Sequence, residues 1–186
     1  MGSPFEEQHV IPDVIDEVPP HTLRDGFLEE RLQRSRRYSA VGAPTAACTE
    51  ATRAGLSSIR TICVFCRAHP DAPSRENPRY REWHHWLVVN VPGTTVANGE
   101  ILSEYIGACP PRGTGLHRYV IVVYKQPERL TCDEKRLTAH SGERRCNFKI
   151  RDFAKKYHLG APVSANFYLA EYDEHVPKIY DQLSGD

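Results

Sequence analysis

Three short runs of aromatic and β-branched residues, each bounded by Gly/Pro turns, constrain this chain more than any other feature. Trp83 to Val91 ends at Pro92-Gly93. Leu116 to Tyr124 lies between Gly113-Thr114-Gly115 and Gln126-Pro127, and Asn166 to Tyr172 is the third. Runs of this length and composition read as strands. The segments between them are turn-rich, chiefly Gly107 to Gly115. No strand alternates with a long helix, and no repeat recurs at a fixed period. The expected fold class is therefore mainly β, with antiparallel sheets. Helices are expected only late. Ile150 to Tyr157 puts Phe153 and Tyr157 four apart, and Val176 to Leu183 puts Val176, Ile179, Tyr180 and Leu183 on one side.

Composition narrows the function classes. The chain has 186 residues, one ordinary domain over 1–186, and a chain of this size buries roughly 70% of its unfolded surface without needing a metal or disulfide. Its 24 basic and 24 acidic side chains cancel. That argues against nucleic-acid binding and against a polybasic membrane anchor. No apolar run approaches the ~20 residues of a spanning helix. The first twenty residues carry acids and prolines and no apolar core, unlike a secretory leader. Met1-Gly2 suggests myristoylation, but Glu6 stands where that pattern wants Ser or Thr. The expected address is cytoplasmic, and the six cysteines are expected to be reduced thiols. Cys63 and Cys66 have C-x-x-C spacing but lie in an apolar run with no second pair nearby, so a structural role is expected.

Texture changes along the chain. Residues 1–23 form an acidic, proline-rich arm. Residues 24–68 carry eight arginines, no lysine and few large apolar groups. There only Ile59 to Phe65 reads as a strand, and Phe27, Leu28 and Leu32 make a weak helical stripe. From Pro70 onward the pattern is that of an ordinary globular protein.

The chemistry concentrates in two strands and two loops. Adjacent residues on a strand point to opposite faces, so only one of His84 and His85 can line a given pocket. Strict alternation puts Trp83, His85, Leu87 and Val89 on one face, with His84, Trp86 and Val88 on the other. On the next strand His117, Tyr119, Ile121 and Val123 share a face. If these strands are neighbours, two imidazoles and a phenol meet at one end of an apolar sheet. His69-Pro-Asp-Ala-Pro-Ser-Arg75 adds a carboxylate between stiffening prolines. The glycines of 107–115 can turn amide N–H groups toward an anion. Such a set of donors suits a phosphate monoester without lysine or metal. The same residues also suit rigid turns in a β domain, and pattern alone does not separate the two.

Three linked motifs, His69 to Arg75, Tyr80-Arg-Glu-Trp-His-His85 and Gly107 to Tyr119, resemble the phosphatidylethanolamine-binding protein family, in its Raf kinase inhibitor branch. The resemblance covers the arm around Asp16 to Leu23 and nearly everything from Pro70 to Asp186. It implies a Greek-key-like fold of antiparallel sheets with short C-terminal helices. It also implies a non-enzymatic, monomeric, soluble binding protein with a small anion pocket for phosphorylated head groups or phospholipid, with no cofactor and no metal. Partners implied are protein kinases of the Raf–MEK type or serine proteases, with peripheral membrane contact. By position the pocket would be lined by Asp71, Ala72, Pro73 and His85. Tyr80 and Trp83 would flank it, and Gly107 and Pro111 would form the far wall. His117 and Tyr119 would complete it, with Tyr180 reaching in from the last helix as a gate. Asp71 would fix an imidazole tautomer or face an amine.

The chain departs from that pattern in three places. His69 stands where the family has aspartate. A second imidazole there disfavours protonation of His85, so weaker phosphate binding with steeper pH dependence is expected. Cys109 stands where the family has glycine, which would be strained if that position needs a positive φ. Residues 25–68 lose the family pattern while keeping its length, as a compensated frameshift in the gene would produce. Two alternative functions follow: a serine protease inhibitor, or a metal-dependent hydrolase with His69, His85 and His117 on zinc and Asp71 as base.

Overall fold

The predicted strands pair edge to edge around a partner that the sequence showed only in part. The computed structural model describes residues 2–23, 62–93 and 95–184. Its elements are α1 (Pro4–Glu7), β1 (His21–Thr22), β2 (Ile62–His69), β3 (Trp83–Pro92), β4 (Glu100–Ser103) and β5 (His117–Gln126), followed by α2 (Ile150–Lys156), β6 (Ser164–Ala170) and α3 (Val176–Ser184). The strands form one six-stranded sheet in the order β1-β6-β5-β2-β3-β4. The β1–β6 pairing is parallel and the rest are antiparallel, so the sheet is mixed, though mainly β as expected.

Tertiary pairing moves the strand ends. β2 runs on to His69, well past the expected end at Phe65, because β5 offers partners up to Ala68 and β3 up to His69. β6 begins two residues early and stops at Ala170, which pairs with His117, the first residue of β5. Glu171 and Tyr172 have no strand left to pair with. The two late helices stand where their apolar spacing put them, with Ile150, Phe153, Val176 and Ile179 buried. The expected helical stripe at Phe27, Leu28 and Leu32 lies outside the described residues, as does most of the atypical 25–68 stretch.

The two faces of the sheet carry separate apolar cores. One joins Val64, Cys66, Leu87, Val89, Val120 and Val122 to α2 and to Phe5, Val10, Val14 and Ile15 of the N-terminal arm. The other contains Cys63, Phe65, Val88, Tyr119, Ile121 and Tyr168, with Trp86 packed on it. Cys63 and Cys66 thus face opposite ways, which rules out a shared metal or disulfide. All five described cysteines are free.

The expected face assignment of β3 breaks at one point, so that Trp83, His84 and His85 all exchange faces relative to the rest of the strand. Arg67 pairs with Trp86 while the next residue, Ala68, pairs with His84, so β3 carries one extra residue there. Such a bulge interrupts alternation. His84 turns to Phe148 on the arm side. His85 turns to the Tyr119 side, which Trp86 and Val88 also occupy, and so parts from Leu87 and Val89.

The arm is held by one buried charge cluster. Arg118 donates from its backbone N–H (2.7 Å) and Nε (3.0 Å) to Asp71 Oδ2, and from Nη2 to Asp71 Oδ1 (2.5 Å). Its remaining donors reach His9 O (2.6 Å) and Asp13 Oδ2 (2.8 Å) on the arm. Removing one partner of a buried pair leaves the other charge uncompensated. Asp71→Asn is therefore expected to cost on the order of 3 kcal/mol in urea unfolding. A loss below about 1 kcal/mol would show that Asp13 alone neutralises Arg118.

Candidate functional site

Three strand ends bring the imidazoles together. His69 closes β2, His117 opens β5, and the bulge in β3 delivers His85. All three are buried. The His69 ring lies 5.5 Å from His85, 5.1 Å from His117 and 4.5 Å from Tyr119, with which it stacks. Trp83 packs edge-on against His85 at 4.3 Å.

Hydrogen-bond partners set the tautomers. A carbonyl only accepts, so His85 donates from Nδ1 to Ile106 O (3.1 Å). Its Nε2 is then a bare acceptor, buried and without a partner. Thr114 Oγ1 gives its proton to Pro111 O (2.7 Å) and so accepts from His117 Nε2 (2.6 Å). His117 Nδ1 must then accept from His69 Nε2 (2.9 Å). Nitrogen-15 NMR should find His85 as the Nδ1–H tautomer and His117 as the Nε2–H tautomer. The reverse pattern at either ring would break this chain of donors.

Burial holds these rings neutral. Desolvation first, then Arg67 and His69, pull His85 well below the usual imidazole range. Desolvation and then His117 do the same for His69. His117 is lowered less, mainly by desolvation, and Asp71 pulls the other way. On the opposite face burial, with Arg145, takes His84 down to about 3. Burial pushes Glu82 up to about 7.

Stability should therefore depend on acid. The unfolded imidazoles protonate near pH 6.5 and the folded ones resist. Below that pH the unfolded state binds more protons, and each histidine costs up to about 1.4 kcal/mol per pH unit. Glu82 acts in the opposite sense between its folded value near 7 and its unfolded 4.5, because there the folded state holds the extra proton. Several histidines outweigh one glutamate, so the urea midpoint should fall steadily from pH 6.5 to 4.5. A flat profile would mean that the rings already carry protons in the fold.

The other expected site residues divide into those that shape the loops beside the histidines and those committed elsewhere. Tyr180 donates from its hydroxyl to Cys109 O (3.1 Å), latching α3 onto the 107–115 loop while its ring stays exposed. A side chain at Gly107 would meet Ile179 Cδ1 at 2.6 Å, so glycine there lets α3 sit close. Pro111 serves through its carbonyl, which holds Thr114. Ala72 is buried, and its carbonyl accepts from Tyr80 N (2.9 Å), shaping the loop together with Pro73. Two expectations need correction. Asp71 fixes no imidazole and has no oxygen left for an amine, since Arg118 takes both. The exposed ring of Tyr80 lies against Arg79 (4.9 Å). Cys109 also escapes the expected strain: the positive φ values in its loop are at Gly113 and Gly115.

The zinc arrangement is not formed. His69 and His117 spend their facing nitrogens on each other, and among the described residues no group of three or more His, Cys, Asp or Glu is placed to hold a metal ion.

Comparison with known proteins agrees with the fold. The model of the phosphatidylethanolamine-binding protein family matches residues 32–169. The chain belongs to that family. A Drosophila melanogaster relative, provisionally named odorant-binding protein A5, is 38% identical over 97% of this chain and 85% of its own length. The protein of the CG7054 solution structure is 31% identical and superposes with a TM-score of 0.67, covering 95% of this chain and 98% of that one. The carboxypeptidase Y inhibitor, solved with its cognate proteinase, is 25% identical with a TM-score of 0.50 over 62% of each chain. The family match thus begins inside the atypical stretch.

Sequence reading missed three arginines that surround the histidines. Arg67, Arg118 and Arg145 are all buried. Arg145 donates to Ser141 O, His84 O, His85 O, Glu104 O and Thr138 O, holding the bulged strand in place. A signal existed for Arg67, a lone cation in the otherwise apolar run Cys63 to Ala68. For Arg145, in the turn-rich stretch after β5, there was none.

Proposed function

We propose that the chain is a non-enzymatic binding protein whose pocket takes a small phosphorylated head group, of the phosphoethanolamine type. His85, His117, Tyr119 and Trp83 would form its floor, with Gly107 and Pro111 on the far wall and Tyr180 at the mouth. Ala72 and Pro73 shape the near loop, and Asp71 and Tyr80 support it from behind. The observation that carries this reading is the buried, partnerless Nε2 of His85 among converging imidazoles, since a buried polar atom without a partner calls for one. Membership of the phosphatidylethanolamine-binding protein family supports it.

A regulatory role follows from the family resemblance: restraint of kinases of the Raf–MEK type, exerted as a single cytoplasmic domain with peripheral membrane contact. No helix among the described residues is long and apolar enough to cross a membrane. The likeness to the carboxypeptidase Y inhibitor supports protease restraint as the alternative regulatory target. The relative named for odorant binding supports a second ligand reading, a small neutral organic molecule in the same pocket.

Thermal unfolding with millimolar phosphoethanolamine separates the ligand readings, because a ligand that binds only the native state raises Tm. Phosphoethanolamine should raise it, and a neutral aromatic probe should not. Imidazoles held neutral take an anion only if a proton comes in with it, on the ring or on the ligand, so affinity at about pH 6 should exceed that at about pH 8 by about tenfold or more. Equal affinity at both would remove the histidines from the ligand shell. A shift with the neutral probe alone would favour the odorant reading.

A further inference from the structure

Arg67 is a charge at the pocket that the family reading does not use. It stands on β2 two residues before His69, on the same side of the sheet, and is 2% exposed. A guanidinium stays charged at any physiological pH. Arg118 meets two carboxylates and Arg145 meets five carbonyls, but Arg67 meets no carboxylate and a single carbonyl. Its Nη1 donates to the Tyr105 hydroxyl (2.7 Å) and weakly to Ile106 O (3.4 Å). Its carbon lies 5.1 Å from the ring centres of Tyr105, Tyr119 and Tyr168. Those faces attract a cation, yet they give Nε and Nη2 no acceptor, and both donors are buried without a partner.

His85 is its immediate neighbour. Both side chains donate to Ile106 O, and both lie against the Tyr119 ring. Two idle donors on a permanent cation thus belong to a side chain that shares a carbonyl and a tyrosine ring with His85, whose own acceptor is idle. A bare dianion would not match that acceptor, and a neutral molecule would leave the cation uncompensated. An oxyacid that keeps one proton fits both: its charged oxygens accept from Arg67, and its O–H faces His85 Nε2.

We infer that Arg67 and His85 form a buried subsite for a singly protonated oxyanion, the monoanionic form of a phosphate monoester or of free phosphate. Arg67 supplies the charge and His85 shares the proton. This rests on the pocket proposed above and names what gives it affinity. The titratable neighbours are consistent with it. They are His69 on β2, His117 and Tyr119 on β5, Tyr168 on β6, Tyr105 and Cys109 before β5, Arg145, and Tyr180 on α3. Of the nearby carboxylates, Asp71 is committed to Arg118 and Glu104 accepts from Ala139 N. Neither of these carboxylates therefore competes for Arg67 or brings a proton to His85.

The test uses the full chain and its Arg67→Met and Arg67→Lys variants. Calorimetric titrations at about pH 8 would use phosphoethanolamine and, separately, inorganic phosphate, in buffers of different ionisation enthalpy. The wild type should take up about one proton per phosphoethanolamine bound, because that ester is mostly a dianion above its second pKa near 6. Arg67→Met should bind about tenfold more weakly or worse, and Arg67→Lys should fall between. Without ligand, Arg67→Met should melt higher than the wild type by about 3 °C or more, since an unpaired buried charge has gone.

A wild type that binds while Arg67→Met binds within twofold of it overturns this inference and leaves the pocket standing. So does binding without proton uptake. A lower melt or failed folding for Arg67→Met would mean that the cation is already compensated, and overturns it as well. A wild type that binds neither anion removes the pocket reading itself. Binding of the ester alone assigns the subsite to a head group, and equal binding of both assigns it to bare phosphate.

Discussion

The arrangement depends on one extra residue in β3. β2 is paired on both sides, and its contact with β5 fixes which of its side chains face each way. Against that rigid reference β3 accommodates a bulge beside Arg67 and Ala68. The bulge places His85 and Trp86 on the same side, where strict alternation would separate them. A bulge also leaves carbonyls without ladder partners. Arg145 donates to His84 O and His85 O at that place. The side chain of His85 is steadied by Ile106 O. An imidazole that alternation would send into the Leu87–Val89 core is thereby delivered to Tyr119.

Three buried arginines then set the electrostatics, each by a different means. Arg118 is neutralised by Asp71 and Asp13, and that cluster clamps the arm to the start of β5. Arg145 is solvated by backbone carbonyls. Arg67 is surrounded by aromatic faces. Charges in a low-dielectric interior act strongly on their neighbours. The positive field joins burial in keeping His69 and His85 neutral, and at Cys109 Arg67 offsets part of the burial that pushes the thiol up to about 11. The hydrogen-bond chain from His69 through His117 to Thr114 keeps its directions because none of its rings is charged.

Family membership accounts for the sheet and the two late helices. It does not choose the occupant, because a fold carries many functions and the site decides among them. The relatives bear names as different as odorant binding and inhibition of carboxypeptidase Y. In this chain two local features shape the chemistry, His69 and Cys109. The first places imidazole against imidazole. The second proves compatible with its loop, whose left-handed turns fall on Gly113 and Gly115.

Much of the fold was legible because strand composition and turn residues act locally. Trp83 to Val91, Leu116 to Tyr124 and both late helices could be placed from spacing alone, and so could the shared face of His117, Tyr119, Ile121 and Val123. The full extent of β2 was not legible, since its pairing residues lie far away in sequence. Nor was the commitment of Asp71, which depends on Arg118 arriving from a strand 47 residues later. The sequence by itself determined the types of group available: three histidines, a tyrosine hydroxyl and rigid Gly/Pro loops. Tertiary structure alone decided which of them meet, because a single bulged residue reverses a face and only a completed sheet shows which buried cation lacks an anion.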